Sequence, residues 1–464
     1  MAKMKKYNWL ILLILTVIIL FLHTPDVFIN KMLFAEDGVI FFNQAQQYGL
    51  SSLLIPYAGY SHLILRLIAL VASFFPVTII PYIYLLFVTV LQFSTVFFTY
   101  KILKLQSYKY GLIIALFPLL VPAGCEVYCN LTNLQWPLAF LTALSVACNW
   151  KNINKYLLCT GLFLLALTGP FSVILIPVVI LRMFVFKDIK INLFAYLSYF
   201  TGTFIQLFVL LFSHRVHTVS NTLQLFEYIP ILFFKLFCIQ FLSVIIFTIL
   251  VFALYKALRN YKEYFPVISV LYLGIMNIFS ALFILNGASG DVIPGRYMYI
   301  YLTAVYLIPV IVFKNNKISA LFIILLICCF PYCRYENIYW NEFIKFSKLQ
   351  KDTFVPLPPD FNWYAKLTSK AAEDAQPDFV TEGLTFFNPS DFCAKYTGLI
   401  IETDNPKYTK EFMISDKSYD YIKYFRFYHV NGTHYKSNAI IPAVDKDIQV
   451  VLPPNLKINC YCID

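Results

Sequence analysis

The sequence predicts an all-α polytopic membrane protein of about eleven transmembrane helices, each taken at the roughly 20 apolar residues a spanning helix needs. A small β-rich or α+β C-terminal domain follows them. Three observations predict this. Of 464 residues, 60% are hydrophobic and only 13% charged, whereas a soluble domain is about a quarter charged. The apolar residues fall in long runs separated by short basic or polar joints. Beyond residue 332 that pattern stops, and prolines, aspartates and short alternating stretches replace it.

The first run, within "MAKMKKYNWLILLILTVIILFLH", has a basic start but no small-x-small cleavage site after it, so it is read as a retained first helix. The other runs lie near residues 79–100, 110–124, 136–149, 156–169, 171–187, 191–212, 229–255, 264–286, 297–313 and 318–331. The segment "HLILRLIALVASFFP" from His62 to Pro76 is apolar enough to be another span, and the charges decide against it. If it does not cross, the loops holding Lys3, Lys5 and Lys6, then Lys101, Lys104 and Lys109, then Lys151 and Lys155 share one side. Lys187 and Lys190, then Lys256, Arg259 and Lys262, then Lys314 and Lys317 join them there. The opposite loops keep only Lys31, Arg66, Arg215 and Arg296.

By the positive-inside rule the basic side is cytoplasmic, which puts the N-terminus inside and the C-terminus outside. A crossing at 62–76 would invert every later loop, so the segment is expected to be a membrane-embedded, non-crossing hairpin or interfacial helix. The formal net charge of +11 belongs to this topology. It gives no reason to expect nucleic acid as a partner, whereas the lipid bilayer is one.

Two domains are expected. Residues 1–333 form the transmembrane domain, with a first extracytoplasmic loop over 24–78, and residues 334–464 form an extracytoplasmic C-terminal domain. In the latter, "GLIIET", "YIKYFRFYHV" and "DIQVVL" read as strands bounded by turn residues. Cys393, Cys460 and Cys462 lie in this tail, Cys333 at its root, and Cys125 and Cys129 in an outer loop, where disulfides persist. Which of them pair stays open. The chain has no zinc-like Cys/His spacing, no phosphate-binding glycine loop and no internal repeat, so no cofactor is predicted and a divalent metal is not indicated.

Polar residues collect in the outer loops: "FAEDG", "YAGYSHLILR", "CEVYCNLTNLQW", "LTGPFS", "SHRVHTVSN" and "NGASGDVIPGRY". A site on the outer face, at the membrane surface, is the consequence. Within it the adjacent carboxylates Glu36 and Asp37 suit the removal of a proton from a hydroxyl. Neighbours on a helix or strand point different ways, so one of the two faces the substrate. The same pair would also cap the stretch "GVIFFNQAQQYGL", since carboxylates favour helix N-termini. Arg296 and Arg66 stand near headgroup level and suit phosphate oxygens, with snorkelling to the interface as the alternative. His62 joins them as a phosphate-binding candidate, and His214 and His217 are further ones. Lys235 lies inside an apolar run, where an ionisable group is a functional candidate. Tyr60, Asn130, Asn133, Gln135, Trp136, Asp291 and Tyr297 offer hydroxyls, amides, a carboxylate and rings to a polar ligand.

This layout, with "AEDG" at Ala35–Gly38 and "GYSHLILR" at Gly59–Arg66, resembles the GT-C superfamily of integral-membrane glycosyltransferases. Its members have many spans, a cytoplasmic N-terminus, a large first extracytoplasmic loop with an acidic motif, and often a soluble outer C-terminal domain. The resemblance covers the general layout of the whole chain. It implies a sugar donor linked to a polyprenyl phosphate, transfer to an acceptor outside the cytoplasm, and Asp37 as catalytic base with Glu36 in support. The heavy use of Phe, Tyr, Ile, Asn and Lys points to an AT-rich bacterial gene. On that basis the glycan acceptor is expected to be a cell-envelope polysaccharide such as O-antigen, and the site the inner (cytoplasmic) membrane with a periplasmic tail. Two alternatives stay open. An O-antigen polymerase or ligase shares the lipid-linked substrate but places its key arginines in a large later loop. A lipid-linked glycan flippase or transporter wants polar residues along a mid-membrane path and broken helices in repeated positions.

Overall fold

Polar joints and prolines decide where the apolar runs become helices. The structure, a computed structural model, describes residues 7–30, 32–151, 153–213, 240–284 and 295–335. Beyond these it describes 340–341, 344, 352–358, 363–368, 379–381, 386–392, 398–403, 411–416, 422–430, 434–437, 441–442, 448–451 and 457–463. Asn154 Oδ1 accepts from the N–H groups of Tyr156 and Leu157 at the head of helix Lys155–Ala166. Asn315 does the same for Lys317 and Ile318 ahead of helix Asn316–Cys328. Each asparagine satisfies donors that a helix start leaves unmatched.

Among the described residues four helices are long and apolar enough to cross a membrane: Val77–Ile102, Ile189–Phe212, Tyr261–Ala281 and Gly295–Phe313. Shorter apolar helices cover Asn8–His23, Leu63–Ser73, Lys155–Ala166, Ile176–Phe186 and Asn316–Cys328. The expectation of about eleven continuous spans, at roughly 20 residues each, therefore needs correction. The run at 110–124 breaks into Gly111–Ala115 and Phe117–Leu120, and that at 171–187 into Phe171–Ile174 and Ile176–Phe186. Pro118 and Pro177 stand just inside the second pieces. Each lacks an N–H and clashes with the turn before it, so the helix stops and restarts. Helix Leu63–Ser73, at about 1.5 Å per residue, reaches roughly 16 Å, about half the hydrocarbon thickness.

The chain forms two compact units, one of Met1–Pro25, Ser51–Ile68 and Leu85–Cys333, the other of Asp26–Leu50, Ala69–Tyr84 and Arg334–Asp464. The last segment of the second unit begins at Arg334. Most of the first loop, however, belongs to the unit that contains the tail.

In the first unit, helix Gly295–Phe313 is buried along nearly its whole length. Helix Tyr261–Ile284 packs closely on it at Gly274, where a Cβ would lie 2.6 Å from Tyr301 Cα. The bundle has two polar ends. At one, Asn8 Nδ2 donates to Tyr100 OH (2.8 Å), Tyr108 OH donates to Ile311 O (3.0 Å), and Lys314 pairs with Glu263 (2.9 Å). The same class of loop carries Asp188, which accepts from Arg182 at 2.8 and 3.0 Å, from Asn192 at 2.7 Å and from Tyr196 at 2.8 Å. The Arg182 guanidinium also lies 3.3 Å from the centre of the Trp150 ring. Burial works against the charge on Asp188, but the hydrogen bonds from Arg182 and Tyr196 outweigh it and hold the carboxyl below its ordinary range.

At the other end the His23 ring stacks between Tyr128 (4.0 Å) and Phe330 (4.2 Å). Cys333 N–H donates to His23 O at 2.9 Å, and a disulfide joins Cys125 to Cys333.

The second unit contains the hairpin β1 (Asp352–Leu357) and β2 (Trp363–Thr368). Among the described residues it also holds nine further strands: β3 (Phe379–Thr381), β4 (Phe386–Phe387), β5 (Gly398–Thr403), β6 (Glu411–Asp416), β7 (Ile422–Val430), β8 (His434–Ser437), β9 (Ile441–Pro442), β10 (Ile448–Val451) and β11 (Ile458–Ile463). They pair in the order β3-β11-β5-β8-β7-β6-β10-β4, with β9 beside β5, and every pairing is antiparallel. The three strands expected from alternation are β5, β7 and β10.

Candidate functional site

In the second unit the acidic motif sits in a built seat. Ala35 takes a left-handed conformation (φ 37°) and its N–H donates to Pro358 O at 2.9 Å. The chain then winds as a π-helix over Asp37–Phe42, a rare form that recurs at functional sites. Glu36 occupies the N-cap position, where its side chain makes no capping hydrogen bond. The capping alternative is therefore not realised through Glu36. Asp37 is 3% exposed, and buried Tyr84 lies within its electrostatic reach. Adjacent carboxylates do differ in setting, Glu36 being half-buried.

The glycine of "AEDG" has a packing reason. A Cβ on Gly38 would collide with the Leu357 side chain and stand 3.1 Å from Ala365, so β1 and β2 close directly onto the turn. Asn43 Oδ1 accepts from Lys366 N–H at 2.7 Å. The Phe42 ring meets Trp340 edge-on at 6.0 Å, and Trp340 Nε1 donates to Val77 O at 3.0 Å. A second buried carboxylate, Asp26, accepts from Arg334 Nε (2.8 Å) and Tyr335 N–H (2.9 Å). None of these tail partners is visible in the sequence pattern; the glycine after the acid is the one local signal of close packing.

In the first unit a polar band runs from Arg296 to Arg66. Arg296 Nη1 pairs with Glu126 at 2.7 Å, a carboxylate within "CEVYCNLTNLQW" that the sequence reading left without a role. Asn130 Nδ2 donates to Glu126 O at 2.5 Å, and Asn130 Oδ1 accepts from Asn133 N–H at 2.9 Å. Asn133 Oδ1 in turn accepts from Trp136 Nε1 at 3.3 Å. Trp136 meets Tyr297 at 5.1 Å and Phe171 at 5.4 Å, both edge-on. Asn130, Asn133, Gln135, Trp136, Tyr297 and Arg296 are thus brought together.

The band continues through a short backbone crossing. Gly169 N–H donates to Ser61 O, Leu63 N–H to Leu167 O, and His62 bridges Thr168. Ser61 N–H donates to Gln206 Oε1 at 3.3 Å, and the Tyr60 ring lies 4.7 Å from that of His62. Burial and then the neighbouring Arg66 lower the His62 pKa to about 3. The imidazole is neutral at ordinary pH. Arg66 is 1% exposed, so it does not snorkel to an interface. Gln206 was missed because an isolated polar residue in an apolar run carries no directional signal, whereas Thr168 belongs to the outer-loop stretch "LTGPFS".

Asp291, His214, His217 and Lys235 lie outside the described residues. Among the described residues no three His, Cys, Asp or Glu side chains gather as a metal site. No protein-family model, no curated protein and no solved structure matches the chain.

Proposed function

We propose that the protein is an integral-membrane glycosyltransferase of the GT-C layout, moving a sugar from a polyprenyl-phosphate donor to a glycan outside the cytoplasm. The acceptor is a cell-envelope polysaccharide such as O-antigen, and the setting is a bacterial inner membrane with the C-terminal domain in the periplasm. The observation that carries this reading is Asp37, a carboxylate buried at the head of a π-helix and seated by a glycine turn. Aspartate is almost never buried without a structural or chemical role. In this reading Asp37 accepts the proton of the acceptor hydroxyl as its oxygen bonds to the anomeric carbon. The bond from that carbon to the phosphate oxygen breaks, and the lipid phosphate leaves with the electron pair. Within the first unit, taken by itself, Arg296 and Arg66 suit phosphate charge, and the amides and rings of the Asn130–Trp136 segment and Tyr297 suit a sugar.

The direct test is transfer of a labelled hexose from a polyprenyl-phosphate donor by the protein in membranes. Arg296→Ala is expected to raise the donor KM by about 10- to 100-fold, the value of a charge-assisted hydrogen bond, and Arg296→Lys by less, because it keeps the charge but loses the planar fork. Near-normal values for both would reduce Arg296 to an anchor for Glu126.

Orientation is tested separately. With residues 62–76 not crossing, Lys104→Cys and Arg259→Cys are expected to label only from the cytoplasm. Ala58→Cys is expected to label only from outside. External labelling at Lys104 would reverse every later loop.

A further inference from the structure

The carboxylate that pairs with Arg296 stands next in the chain to a bridged cysteine. Cys125 and Glu126 share the short turn Cys125–Val127, and Cys125 is bonded to Cys333. Cys333 has an anchor of its own. Its N–H donates to His23 O at 2.9 Å, Pro331 O lies 2.7 Å from His23 Nδ1, and the Phe330 ring stacks on that of His23 at 4.2 Å. The bridge therefore ties the Glu126 turn to a point that the end of the first helix already holds.

The same turn lies against the helix that bears Arg296. A Cβ on Gly295 would stand 2.4 Å from Ala123 O and 3.3 Å from Gly124 N, so helix Gly295–Phe313 begins in direct contact with the residues just before Cys125. Glu126 Oε2 meets Arg296 Nη1 at 2.7 Å, and the two side chains are 28% and 35% exposed, so an ion in solution reaches the pair. Arginine carries N–H donors on three nitrogens, and this carboxylate engages one of them. A partner that fixes one edge of the planar fork sets the direction of the rest. An anion that arrives there does not have to order a long, rotamer-rich side chain.

We propose that the Cys125–Cys333 bridge is a redox-sensitive strut that holds Glu126, a positioning residue, against Arg296, so that opening the bridge loosens the grip of Arg296 on a phosphate. That the phosphate belongs to a lipid rests on the glycosyl-transfer reading; the dependence of the Arg296–Glu126 pair on the bridge does not. The opening reagent is a dithiol. Its thiolate attacks Cys333 Sγ, which is half-buried where Cys125 is buried, and Cys125 leaves as a thiolate. The second thiol then displaces Cys333, so the dithiol ends as a disulfide and both cysteines end reduced.

The test has two arms, run on the bridged protein, the dithiothreitol-reduced protein and Cys333→Ser. Cys462 is also disulfide-bonded, and Cys333→Ser separates the two bridges. In the first arm Arg296 is modified with phenylglyoxal, an arginine-specific dicarbonyl, and the rate at that residue is read by mass spectrometry. Modification is expected to be about 2- to 5-fold faster without the bridge, the value of a part-exposed ion pair. In Glu126→Gln the rate should not respond to reduction. In the second arm farnesyl phosphate, farnesol and inorganic phosphate are titrated by calorimetry. Farnesyl phosphate is expected to bind the bridged protein about 2- to 10-fold more tightly than the open one, the cost of ordering one arginine, and to lose that preference in Glu126→Gln. Reoxidation of the wild type should restore both readings, which decides the matter if Cys333→Ser does not fold. Equal rates in the first arm, or equal or tighter binding of farnesyl phosphate after reduction, overturns the strut. Inorganic phosphate bound as tightly as farnesyl phosphate overturns the lipid source alone. No binding of farnesyl phosphate with the first arm as expected overturns the assignment of Arg296 to phosphate in the glycosyl-transfer reading and leaves the bridge holding only the ion pair.

Discussion

Asp37→Asn is expected to lower sugar transfer by roughly 10²- to 10⁴-fold, the contribution of a positioned general base. Asparagine matches aspartate in size and keeps most of its hydrogen bonding, yet it cannot take the proton of an acceptor hydroxyl. The π-helix should survive, because Ala35, Gly38 and Asn43 hold it through contacts that do not involve the Asp37 carboxylate. Were Asp37 only a cap, the substitution would be nearly silent, since asparagine caps as well as aspartate does. Glu36→Gln is the internal control and should be milder, in keeping with a half-buried supporting group. The measurement is initial rate of transfer from a polyprenyl-phosphate donor at matched membrane expression, and a fully active Asp37→Asn protein removes this motif from the chemistry.

The largest effect on stability is expected in the first unit. Arg182 is fully buried, and Asp188 is its acidic partner. Asp188→Asn leaves an uncompensated buried cation, which costs about 3–5 kcal/mol. A pH dependence follows from the same pair. The folded carboxyl titrates below its unfolded value, so its stabilisation is complete above the unfolded carboxylate range near about 4 and is lost as pH falls through the folded value. Thermal unfolding in detergent should show Asp188→Asn destabilised at pH 7 and the gap to wild type closing in acid. Arg182→Leu combined with Asp188→Leu should be less destabilising than the sum of the two single changes, which is the coupling expected of groups in contact. Additive effects, or a gap that does not change with pH, would mean the pair contributes little.

Much of the helical layout was legible because each apolar run is bounded by asparagine, lysine or proline. The runs at 191–212 and 297–313 match helices Ile189–Phe212 and Gly295–Phe313 to within two residues. What hydropathy did not resolve is continuity: leucine and phenylalanine around Pro118 and Pro177 read as one greasy stretch, while the missing N–H breaks the helix. Alternation found β5, β7 and β10. It missed β1 and β2, whose prolines and lysines hide the pattern and whose partner is the first loop rather than another strand of the large sheet. The acidic motif and the amide-rich segment stood out as polar islands among apolar residues. The partners that shape them did not, because Leu357 behind Gly38, Glu126 beside Arg296 and Gln206 beside Ser61 are distant in the chain.

The bond between Cys125 and Cys333 closes a ring of 208 residues. Two thiols can join only from the same side of a bilayer, so an even number of crossings must lie between them. A chain that fails to insert one segment within the ring ends with its cysteines on opposite sides and stays open. The ring also cannot close until the last helix, Asn316–Cys328, has emerged and been placed. A ring left open on a non-reducing gel therefore reports that an odd number of crossings within it has failed, and it does so without any assay of activity.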